Sequence, residues 1–124
     1  MSKTVLIVED EPNIVESLAF LLQRDGFTVR TISDGADALA EVESTVPDVV
    51  ILDVMLPNVS GFDILSNLRG STRFADLPVM MLTAKGQRKD RDRAEDLGAD
   101  IFVTKPFSNT EIVAEVRRLA ERAA

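Results

Sequence analysis

Residues 5–12, Val5-Leu6-Ile7-Val8-Glu9-Asp10-Glu11-Pro12, set four apolar side chains directly against three acids and a proline. Four consecutive apolar residues are strand-length and carry no polar alternation, the pattern of a central parallel strand covered on both faces. Pro12 suits the first position of a helix, where its missing N–H costs nothing. The stretch therefore reads as strand, acidic turn, helix.

The same unit recurs along the chain. Val49–Leu52 and Val79–Leu82 are further continuous apolar runs, and Ile101–Val103 makes a fifth strand. Phe27–Ile32 instead alternates, with Thr28 and Arg30 on one side, as a half-exposed edge strand does. Between the strands lie segments of helical period. The first begins at Pro12, sets Ile14, Leu18, Leu21 and Leu22 on one face, and stops at Gly26, which can take the left-handed C-terminal position. Segments 35–44 and 61–69 carry Ala38, Leu39 and Val42, and Ile64, Leu65 and Leu68. Ser108-Asn109-Thr110-Glu111 reads as a capping box ahead of Ile112, Val113, Val116, Leu119 and Ala120. Segment 87–97, QRKDRDRAEDL, offers only Ala94 and Leu97 as apolar anchors, so that helix is expected to be loosely held.

Strands alternating with helices imply an α/β fold: one doubly wound, five-stranded parallel sheet flanked by five helices. The polar second strand belongs at an edge, which the order 2-1-3-4-5 satisfies. No linker, repeat or low-complexity tract interrupts residues 1–124, which are expected to form one module.

Composition narrows the chemistry. With 14 basic and 21 acidic side chains the net charge is −7, so direct nucleic-acid binding and attraction to anionic lipid are disfavoured. Cysteine and histidine are absent, which leaves oxygen donors and hence hard cations such as Mg²⁺, Mn²⁺ or Ca²⁺. The apolar run at the start is too short for a signal-peptide core and nothing later approaches a membrane span. A cytoplasmic protein without membrane insertion is expected.

In an open parallel sheet, ligands bind beyond the carboxyl ends of the strands, where neighbouring crossovers leave in opposite directions. For this order the gap lies between strands one and three. Glu9 and Asp10 follow the first strand, Asp53 the third, Thr83 the fourth and Lys105 the fifth. Each alone has an ordinary explanation: a cap, a turn former, a solvated cation. Their coincidence at one cleft favours function. Two unit charges ~4 Å apart at an effective dielectric of ~20 repel by roughly 4 kcal/mol, so three clustered carboxylates call for a cation. Mg²⁺ usually takes one or two carboxylates, keeps several waters and leaves room for a phosphate oxygen, which implies a phosphoryl substrate.

These residues resemble the receiver domain of two-component response regulators, and the likeness runs over essentially the whole chain. VLIVEDEP resembles the family's first strand with its acidic pair. Asp53-Val54-Met55-Leu56-Pro57 with Gly61 resembles the phosphoacceptor loop, Leu82-Thr83-Ala84 the hydroxyl switch, and Lys105-Pro106-Phe107 the lysine-proline turn. Gly98-Ala99-Asp100 is also familiar. The resemblance implies a flavodoxin-like or CheY-like fold, with Asp53 as phosphoacceptor. It also implies Mg²⁺, or Mn²⁺, held by Glu9, Asp10, Asp53 and the carbonyl of Met55. Lys105 and Thr83 would contact the phosphoryl group, and the bond before Pro106 would be cis. Ser60 stands where many relatives have Asp, and Ile101 replaces a common acid; neither touches the phosphorylation chemistry.

The function implied is a phosphorylation-controlled signalling switch rather than an enzyme acting on other substrates. A sensor histidine kinase or histidine phosphotransfer protein is the expected donor. The expected readout couples Thr83 to the aromatic at Phe102 and alters the surface of the fourth helix, fifth strand and fifth helix, to which a downstream protein binds and where a homodimer would form. The interleaved charges of 87–97, such as Arg91 and Glu95 at i, i+4, read as a salt-paired solvated face rather than a nucleic-acid patch. Within the family, the alternatives are a phosphorelay intermediate or the receiver of a longer regulator. An aspartyl-nucleophile phosphohydrolase would use the same nucleophile and metal, but places a second Asp where this chain has Met55. A flavodoxin-like electron carrier would seat phosphate where Glu9, Asp10 and Glu11 repel it. A scaffold that never becomes phosphorylated would need none of these groups.

Overall fold

The computed structural model describes residues 3–83 and 88–122. Gln87, the expected start of the fourth helix, and Ala84 of Leu82-Thr83-Ala84 lie outside the described residues. Five parallel strands, β1 (Thr4–Val8), β2 (Thr28–Ile32), β3 (Val49–Asp53), β4 (Val79–Thr83) and β5 (Ile101–Thr104), pair in the order β2-β1-β3-β4-β5. The helices are α1 (Pro12–Arg24), α2 (Ala38–Thr45), α3 (Gly61–Arg69), α4 (Arg88–Leu97) and α5 (Asn109–Arg122).

The continuous apolar runs are explained by two cores, one on each sheet face. Leu6, Val8, Val50, Leu52, Val79 and Met81 point to the face covered by α2, α3 and α4. Val5, Ile7, Val49, Ile51, Met80 and Leu82 point to the face covered by α1 and α5. Strand side chains alternate with period two, so both halves of each run are buried. By contrast, no residue of β2 or β5 is fully buried, as befits the two edges.

Local chemistry sets the helix ends. Gly26, at φ +97°, closes α1: its N–H donates to Gln23 O at 3.0 Å and that of Phe27 to Leu22 O at 3.0 Å, the paired bonds of a Schellman motif. Ser108 Oγ accepts the Glu111 N–H at 3.4 Å ahead of α5, as its sequence signature anticipates. Segment 35–44 differs from its expected single helix. It begins as a 3₁₀ turn, Gly35–Asp37, because the Asp34 carboxylate accepts the Ala36 N–H at 2.9 Å and tightens the entry, and α2 follows.

α4 is the thinly seated helix its sequence implied: Ala94 alone is fully buried, with Leu97 partly packed. Among the described residues no helix is long and apolar enough to cross a membrane.

Candidate metal and phosphoacceptor site

The turns after β1, β3 and β5 meet at the carboxyl end of the sheet. Asp53 and Thr83 are the last residues of their strands rather than the first after them, so the ladder itself holds both. Asp53 is 3% exposed and Thr83 is also buried. Gly61 makes room for the acceptor: a Cβ there would lie 2.1 Å from the Asp53 carbonyl oxygen. Only glycine allows the start of α3 to approach so closely, with Gly61 N–H donating to Val54 O at 3.0 Å. Ser60 caps the helix by accepting the Phe62 N–H at 3.1 Å.

Carboxylate oxygens of Glu9, Asp10 and Asp53 all lie within 4.8 Å of one another. None of this acidity is spent on capping α1, whose N-cap residue Glu11 makes no side-chain cap bond. Asp53 Oδ1 accepts the Met55 N–H at 3.3 Å, and Oδ2 accepts from Lys105 Nζ at 3.2 Å. Glu9 Oε2 accepts the Asp10 N–H at 3.0 Å. Glu9 Oε1 is buried and lies 2.7 Å from Lys105 Nζ, a close ion pair that lacks hydrogen-bond alignment. Lys105 also reaches Glu11 at 3.2 Å. The lysine is fixed from behind, since its own N–H donates to Thr83 O at 2.7 Å across the end of the β4–β5 ladder.

Burial raises the Glu9 carboxyl above its ordinary value of 4.5, and the neighbouring Asp53 carboxylate pushes the same way, while Lys105 pulls it back. Burial alone would lower Lys105. The close contact with Glu9 and the charges of Asp53 and Glu9 outweigh it and hold the ammonium well above its usual range. The lysine is therefore a permanent cation. A buried oxygen without a hydrogen bond, beside two further carboxylates and no nitrogen or sulfur donor, fits a hard divalent cation.

The residues named from sequence thus divide. Glu9, Asp10, Asp53 and Lys105 converge, and Met55 lies against Asp53 through its backbone while its side chain is 73% exposed. Thr83 sits at the same sheet end, but its hydroxyl donates to Asp90 of α4 at 3.3 Å. Phe102 is half-buried against the core face of α2, α3 and α4. The Lys105–Pro106 bond is cis, as the resemblance implied. Two participants were not singled out from sequence. Glu11 was visible as the third acid of the opening run. Asp90 was hidden among the charges of 87–97, where no periodic signal separates it.

Residues 5–117 match the response regulator receiver domain family. The chain belongs to that family. This receiver is 44% identical over 121 residues to the sensory transduction protein RegX3 of Mycolicibacterium smegmatis, covering 98% of this chain and 52% of the relative. It is 42% identical over 123 residues to the alkaline phosphatase synthesis transcriptional regulatory protein PhoP of Bacillus subtilis, covering 99% and 50%. The receiver spans about half the length of these curated relatives. Among solved structures it resembles a putative response regulator from Chloroflexus aurantiacus, with a TM-score of 0.93 at 32% identity, covering 98% of this chain and all of that one.

Proposed function

We propose that this receiver is a phosphorylation-activated switch in which Asp53 accepts a phosphoryl group from a histidine kinase or phosphotransfer histidine. One observation carries the reading: the nearly buried Asp53 carboxylate meets a fixed ammonium at 3.2 Å while two more acids crowd within metal-sharing distance. An Asp53 oxygen attacks the phosphorus of a phosphohistidine. The O–P bond forms as the P–N bond breaks, and its electron pair returns to the imidazole nitrogen, which takes a proton from solvent. Such transfer needs alignment and charge stabilisation more than a general base, which suits a chain without histidine. Lys105 supplies one fixed positive charge toward the phosphoryl oxygens. Glu9, Asp10, Asp53 and the Met55 carbonyl would hold Mg²⁺ or Mn²⁺, whose part is to offset phosphoryl charge.

The phosphoryl group of the product carries roughly −1.5 to −2 charges, if it behaves as on other phosphorylated side chains, in place of the single charge of the aspartate. Its readout is a changed α4-β5-α5 surface, with Thr83 and Phe102 as the moving parts and a partner protein or a second copy as the reader. Transcription is the output to which the name of the PhoP relative points, and an acidic receiver would control it through protein contacts. The reaction modifies only the receiver itself, in the cytoplasm where kinases and their donors meet.

Incubation with a phosphohistidine donor and Mg²⁺, read by intact mass, tests this. Wild type should gain one phosphoryl group and Asp53→Asn none; undiminished modification of the variant would overturn the assignment of Asp53. Turnover of a small phosphate ester in large excess would instead indicate a phosphohydrolase.

A further inference from the structure

Thr83 has a single hydroxyl proton and so serves one acceptor at a time. In this structure that acceptor is Asp90 Oδ2, 3.3 Å away on the first turn of α4. The rest of α4 is held unevenly. Its C-terminal end is clamped: Arg69 Nε donates to Gly98 O at 2.9 Å, while the same guanidinium bonds Leu77 O at 2.8 Å and Asp100 Oδ2 at 3.0 Å. Asp100 also accepts the Val79 N–H at 2.9 Å, so this clamp is continuous with β4. The middle is seated by Ala94 and by Arg93, whose guanidinium lies 4.4 Å from the Phe62 ring centre. Toward the N-terminal end, among the described residues, Thr83–Asp90 is the hydrogen bond that joins α4 to the strand carrying the switch hydroxyl.

We infer that Asp90 is a positioning residue of the switch: it is the acceptor from which the Thr83 hydroxyl must be withdrawn before that hydroxyl can serve a phosphoryl oxygen on Asp53. The inference rests on the proposed phosphorylation of Asp53 and adds the route by which it reaches α4. When Thr83 turns to the phosphoryl group, Asp90 loses its donor in a partly buried position and faces an added negative charge from the direction of the sheet. Both effects push the N-terminal half of α4 away, and the clamped Gly98 end makes the motion a pivot rather than a release. Linkage then requires the reverse: whatever weakens Thr83–Asp90 favours the modified state.

The probe is beryllofluoride with Mg²⁺, a phosphoryl mimic that needs no kinase. Removing a hydrogen bond worth about 1 kcal/mol corresponds to about fivefold in affinity. Asp90→Ala should therefore tighten beryllofluoride binding about three- to tenfold relative to wild type, scaled from the same bond. It should also speed amide exchange in the first half of α4 in the unmodified protein. Asp90→Asn, which keeps a side-chain oxygen acceptor, should restore most of the wild-type behaviour. In a Thr83→Val background, Asp90→Ala should no longer change the affinity, since the hydroxyl it competes for is gone. A purely structural Asp90 would give the same effect in both backgrounds. Equal affinities for wild type and Asp90→Ala, or an unchanged effect in Thr83→Val, would overturn the inference. Failure of wild type itself to bind beryllofluoride would sink the phosphoacceptor reading instead, so the two failures are distinct.

Discussion

α4 and α5 flank the same edge strand, yet they are built differently. α5 buries Ile112, Val116, Leu119 and Ala120 in the core it shares with α1. It is tied further by a forked ion pair from Arg117 to Asp25, by Arg122 to Asp100 at 3.0 Å, and by Lys3 Nζ donating to Ala120 O at 2.5 Å. α4 buries one alanine fully, packs Leu97 partly and Arg93 over Phe62, and otherwise relies on polar contacts that other groups can compete for. Apolar burial is non-directional and hard to exchange, whereas a hydrogen bond can change partner at little net cost. One helix is anchored by apolar burial, whereas its neighbour depends more on contacts that can be exchanged.

The largest test is packing. Leu119→Ala on α5 should cost about 2–5 kcal/mol in denaturant unfolding, while Leu97→Ala on α4 should cost about 1 kcal/mol; a reversed ranking would break the contrast. Next is local opening. Under native conditions the amides of α4 should exchange at least about tenfold faster than those in the middle of α5, a difference of about 1.4 kcal/mol in opening free energy. Equal protection would mean that α4 is as firmly seated as α5.

Mg²⁺ sharpens the picture further. At ten times its Kd it should stabilise the fold by about 1.4 kcal/mol, visible as a higher Tm, and Asp10→Ala should blunt the response. Because Glu9, Asp10 and Asp53 lie on the turns after β1 and at the end of β3, the exchange gap between α4 and α5 should survive. The smallest effect is electrostatic. Folding raises the Glu9 pKa, so the folded protein holds that proton more tightly than the unfolded chain does. The stabilising contribution is full below the ordinary value of 4.5 and is lost as pH rises through the raised value. Without Mg²⁺, Glu9→Gln should therefore flatten the fall of Tm with rising pH relative to wild type while leaving the α4 and α5 exchange contrast unchanged. A parallel Tm profile would remove Glu9 as its source.

The sheet was legible because its information is local. Uninterrupted apolar runs marked β1, β3 and β4, alternation marked β2, and Gly26 marked the end of α1. The convergence of Glu9, Asp10, Asp53 and Lys105 followed from topology once strand order was chosen. Long-range polar pairing was not legible. Arg69 meets Asp100 across 31 residues, and Thr83 meets Asp90 inside a run of charges where every position looks alike. Neither contact leaves a periodic trace. The 3₁₀ turn ahead of α2 was missed for a similar reason, since a helical apolar face at Ala38, Leu39 and Val42 says nothing of how the chain enters it.

The bond from the Lys105 N–H to the Thr83 carbonyl has a last consequence. It yokes the lysine that pairs with Asp53 to the residue whose hydroxyl bonds α4, so the two can hardly be adjusted separately. Under the proposed switch, a substitution that shifts either one to lengthen the life of a modified aspartate also alters how strongly its presence is announced. Duration and loudness of such a signal would be geared together through a single backbone hydrogen bond.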